Sequence, residues 1–116
     1  MNEKLHIFSE TITLYIFDLD SFIKSIKLNN SNRELYQTVS EKITDLSTFA
    51  NELLLENSTN KTNFLKNIQG ISDLLLSKLK ELKCSSERFN EKADLLARTF
   101  IIWEHSGSLL SLVNIA

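Results

Sequence analysis

Apolar side chains recur along this chain in four runs that step alternately by three and four residues. The runs are Leu5-Phe8-Ile12-Tyr15-Leu19-Phe22-Ile26, Tyr36-Val39-Ile43-Leu46-Ala50-Leu53, Leu65-Ile68-Ser72-Leu75-Leu79-Leu82 and Phe89-Ala93-Leu96-Phe100-Trp103-Gly107-Leu110. Residues three and four apart share one face of an α-helix. Each run therefore writes the buried stripe of an amphipathic helix, and no proline interrupts any of them.

Polar clusters punctuate the runs. The first helix is predicted over residues 2–28 and ends at Asn29-Asn30-Ser31-Asn32, whose side chains compete for backbone bonds. Ser31 and Glu34 have the spacing of a capping box, which opens a second helix over 32–56. Asn57-Ser58-Thr59-Asn60 separates it from a third over 61–83. Gly70 inside that helix costs about 1 kcal/mol against Ala and marks close packing. Ser85-Ser86-Glu87 opens the fourth. Ser106-Gly107-Ser108 offers a stop after His105, with a short fifth helix from Ser108. The stripe stays in register through Gly107, so the fourth helix is expected to persist to about Val113. Short links between long helices make neighbours antiparallel. The expected fold is all-α, an antiparallel up-down-up-down four-helix bundle with residues 1–116 as one domain.

Composition narrows the partners. Thirteen basic and 15 acidic residues are interspersed, for a net charge of −2. That balance argues against nucleic acid or an anionic membrane as the main partner, since both need a concentrated positive field. The densest basic cluster, Lys78-Lys80-Lys83, contains Glu81 and reads as a solvated helix end. The single cysteine, Cys84, forms no intrachain disulfide and fits a reducing compartment. No secretory signal is visible. The apolar segments 12–17 and 109–113 fall far short of the ~20 residues of a membrane span. A cytoplasmic location is expected.

The first and last helices carry more apolar surface than one core needs. With Leu5 as heptad position a, Ile16 and Ile23 broaden the seam at e, while Ile7, Leu14 and Leu28 fall at c and Phe17 at f. With Ala93 as a, Leu95, Ile102 and Leu109 fall at c, Ile101 at b and Leu112 at f. These helices are neighbours in an antiparallel bundle, so the extra stripes are expected to form either a wider core or one continuous contact patch. Trp103 and Phe100, on the fourth stripe, are expected in the core.

Chemistry is sparse. His6 is isolated, and Asp18 and Asp20 do not share a helical face. Glu104-His105 lacks the Glu-x-x-His spacing of bundle metal sites, and Gly70 and Gly107 make no phosphate loop. No metal or other cofactor is expected. Arg98 and His105 stand almost two turns apart on one side of the fourth helix, at f, the face opposite its stripe. This pairing resembles the loose signature of HEPN domains, an Arg followed within two turns by a His. Those are small all-α domains, many of them ribonucleases that act as dimers. The resemblance covers two residues, with Thr99 directly after the Arg and Phe100-Ile101-Ile102-Trp103 filling most of the gap. It implies His105 as general acid or base and Arg98 as a stabiliser of phosphate charge.

The expected function is that of a small non-enzymatic interaction protein of the adaptor, assembly-subunit, chaperone or immunity/inhibitor type. It binds a protein partner or a second copy through Ile7, Leu14, Phe17, Leu95, Ile101, Ile102 and Leu109. A HEPN-like ribonuclease or toxin component using Arg98 and His105 is the alternative.

Overall fold

The computed structural model describes residues 2–26, 32–55 and 60–115. Four helices account for the fold: α1 (Asn2–Ser25), α2 (Arg33–Glu52), α3 (Lys61–Glu81) and α4 (Phe89–Ile115), with one 3-10 turn, Ser86–Arg88, leading into α4. Helix makes up 90% of the described residues, and no strand occurs among them. Among the described residues the helix backbones come close in sequence order, α1 to α2, α2 to α3 and α3 to α4, and α4 returns to α1. The four-helix bundle expected from the stripes is thus the observed fold, a rod 46 × 22 × 19 Å.

Three stripes are buried along their length, with only their end residues Ile26 and Tyr36 half-buried. Leu5, Phe8, Ile12, Tyr15, Leu19 and Phe22 of α1 are at most 4% exposed. Val39, Ile43, Leu46 and Ala50 of α2, with Leu53 just beyond it, face them. Leu65, Ile68, Ser72, Leu75 and Leu79 of α3, with Leu82 following, complete that wall. Burying each large aliphatic or aromatic side chain contributes roughly 1.5–3 kcal/mol.

Helix ends depart from expectation by a few residues. The capping box at Ser31 and most of the two asparagine-rich breaks lie outside the described residues. α2 stops at Glu52, short of 56, because the N–H groups of Leu54 and Leu55 turn to the carbonyls of Asn51 and Glu52 three residues back. α3 stops at Glu81, where Leu82 becomes extended and drops into the core. Lys92 of α4 then reaches across, its Nζ donating to the carbonyls of Lys80 (3.2 Å) and Leu82 (2.6 Å). A cation at those carbonyls caps the negative end of α3. Cys84 lies in the same α3–α4 link, half-buried against the core.

α4 runs through Gly107 without a break, as the register of its stripe implied, and no fifth helix forms. Gly107 does not adopt a positive φ, so it is no C-cap. It sits where α3 comes close: a Cβ added there would lie 3.0 Å from Gln69 Nε2.

Candidate interaction surface

The two apolar stripes of α4 exchange roles. The buried one is Leu95-Thr99-Ile102-Ser106-Leu109, with Leu95 at 2% and Ile102 at 1% exposure. It runs one residue earlier than the expected stripe all along the helix, a rotation of about 100°. Leu95, Ile102 and Leu109, candidates for partner contact, are therefore core residues. The expected core stripe is turned partly outward: Phe89 is 64% and Phe100 47% exposed and Ala93 is exposed, while Leu96, packed on the core, Trp103 and Gly107 are half-buried. Phe100 and Trp103 tilt against each other at 5.6 Å on this outer side. Only Leu110, at the C-terminal end, returns to the core. A seven-residue repeat drifts about 20° per heptad on a straight helix, which carries that end of the stripe inward.

Two hydroxyls explain the exchange. Thr99 and Ser106 are fully buried in the true seam. Thr99 Oγ1 donates to the Leu95 carbonyl (2.6 Å), and Ser106 Oγ donates to the Trp103 carbonyl (2.7 Å). With its own proton so directed, Thr99 Oγ1 accepts from the Tyr15 hydroxyl of α1 at 2.6 Å. Burial pushes the Tyr15 phenol up to about 12, against smaller lowering effects of Thr99 and Arg98. No buried side-chain polar atom among the described residues lacks a partner.

On α1, Ile7, Leu14 and Phe17 are exposed, as is Ile101 on α4. Of the two outcomes expected, the wider core holds for Leu95, Ile102 and Leu109, and no single patch joins them to these four. Ile7 lines a groove of about 430 Å³ between α1 and α4, together with His105 and Leu112. Phe17 lines a separate groove of about 520 Å³ between α1 and α2, beside Ile16 and Ile43.

Arg98 and His105 lie on the flank of α4 that faces α1, not on the face opposite the core. Arg98 Nη1 donates to Asp18 Oδ2 at 2.7 Å, with Asp94 Oδ2 at 3.7 Å, and the guanidinium stands 5.8 Å from the Tyr15 ring centre. Its charge is already shared by two carboxylates, so an incoming phosphate competes with them. His105 is exposed in the α1–α4 groove beside Lys4, Thr11 and Ser108. Arg98→Ala removes a tie between helices and should lower stability by about 0.5–1 kcal/mol, whereas His105→Ala should stay within about 0.5 kcal/mol. Paired thermal melts check this; equal melting temperatures for the two variants would contradict the structural role of Arg98.

Asp20 pairs with Lys24 and His6 with Glu10, each within one turn of α1. Among the described residues no three His, Cys, Asp or Glu side chains gather to hold a metal ion, and no helix is long and apolar enough to cross a membrane. Comparison of the chain with protein-family models, curated proteins and solved structures finds no match.

Proposed function

We propose that this chain is a small non-enzymatic interaction protein, at work in a reducing compartment such as the cytoplasm, that docks another helix along the outward stripe of α4. One observation carries the reading. Beyond its buried seam, α4 leaves the apolar side chains Phe89, Ala93, Phe100 and Ile101 exposed. Large apolar side chains gathered in the open on one helix mark a contact site.

The test compares two folded proteins. Phe89→Lys with Phe100→Lys alters only exposed positions, so helicity and melting temperature should persist. Association of the wild type, with itself or with a co-purifying protein, should be lost in the double variant. If the variant keeps every association of the wild type, the reading fails. RNA cleavage by the wild type that disappears in His105→Ala would overturn it in favour of the ribonuclease alternative.

A further inference from the structure

We propose that the occupant of the outward stripe of α4 is a second copy of this chain, docked antiparallel about a two-fold axis level with residue 98. The inference rests on the interaction reading above and names its partner. Read against itself in reverse, the stripe Phe89-Ala93-Leu96-Phe100-Trp103-Gly107 is complementary in size. Phe89 faces the second copy's Gly107, Ala93 faces its Trp103, and Leu96 faces its Phe100, with the same layers repeated beyond the axis. Each layer sets a large side chain against a smaller one, which is how facing helices interdigitate without voids or clashes. Such an interface is isologous and closes as a dimer.

The flank of the stripe agrees. Exposed Asn90 comes within two residues of level with the second copy's exposed Glu104, an amide donor across from a carboxylate, while Ala97 approaches Ala97 just off the axis. Parallel docking does the opposite. It stacks Trp103 on Trp103 and leaves Gly107 against Gly107. Gln69 borders Gly107, its amide Nε2 3.0 Å from where a Cβ would lie, and the arriving Phe89 has to displace that flexible tip.

Sedimentation equilibrium over a concentration series should show a dimer for the wild type. Ala93→Trp puts two indoles in one layer and should abolish the dimer while helicity persists. Combining it with Trp103→Ala exchanges the partners of each layer and should restore association. Asn90→Glu faces Glu104 with a like charge and should weaken the dimer; Asn90→Lys should tighten it. These last two changes sit on the exposed flank and keep the test open if Trp103→Ala fails to fold. A wild type that stays monomeric overturns the inference. So does a size-swapped variant, folded to wild-type helicity, that associates no better than Ala93→Trp, or a pair of Asn90 variants with equal affinity. A monomer whose binding to a different protein is lost in the Phe89→Lys, Phe100→Lys variant would defeat the dimer and leave the interaction reading standing.

Discussion

Leu95→Lys combined with Ile102→Lys should leave the chain unfolded. Both side chains are sealed in the seam where α4 meets its neighbours, at 2% and 1% exposure. Removing a buried Leu or Ile side chain alone costs about 2–5 kcal/mol. A lysine adds the desolvation of an ammonium, offset only in part at position 95 by Asp18, Glu91 and Asp94, which line the same pocket. The sum matches or exceeds the roughly 5–15 kcal/mol that holds a domain of this size together. Far-UV circular dichroism should show loss of helix at room temperature. A folded double variant with the wild-type melting temperature would mean that these residues face solvent after all. Phe100→Lys with Ile101→Lys, adjacent in sequence but on the outer side, should stay folded.

Thr99→Val should destabilise more than Tyr15→Phe, although each removes one hydroxyl from the same pair. With valine at 99, the Tyr15 O–H is left buried with no acceptor, at a cost of about 1–3 kcal/mol. With phenylalanine at 15, Thr99 still donates to the Leu95 carbonyl, and only the net worth of one hydrogen bond is lost, about 1 kcal/mol. The double variant should cost less than the two singles added, because no orphan remains. Equal single costs, or strict additivity, would contradict this geometry. The same phenol sets an alkaline limit. Its folded pKa of about 12 lies above the ordinary 10.0, so the folded state holds this proton more tightly. The associated stability is complete below pH 10 and is lost as pH rises from 10 towards 12, by about 2–3 kcal/mol. Tyr15→Phe should flatten that part of the stability profile.

α1, α2 and α3 were legible because their stripes are apolar at every position but Ser72, which aliphatic steps enclose on both sides; Ser9, also buried in α1, lies beside its stripe and donates to the Ala50 carbonyl. α4 was not, because hydropathy ranks Phe100 and Trp103 above Thr99 and Ser106 and so selects the wrong side of the helix. Inside a helix a Thr or Ser hydroxyl can return its proton to a carbonyl three or four residues back, which makes it cheap to bury. A signal did exist in α1. Tyr15 sits in the middle of an otherwise apolar stripe, and a buried phenol demands a polar residue on a facing helix. In α4, Thr99 meets that demand at the matching height. The candidate surface inherited the same error: Leu95, Ile102 and Leu109 were read as outward because the frame was turned by one residue, while Ile7, Leu14, Phe17 and Ile101 did prove exposed. The persistence of α4 through Gly107 was legible, since register outweighs one glycine when a neighbouring helix packs against it.

The Lys92 clamp has a consequence for kinetics. It holds the carbonyls of Lys80 and Leu82, and Cys84 follows them in the same link with its thiol half-shielded by the core. Being the sole cysteine, that sulfur is a built-in clock. A disulfide reagent under native conditions labels it at a rate set by how often this corner of the bundle opens, and comparing that rate with global unfolding separates a local hinge from whole-molecule breathing.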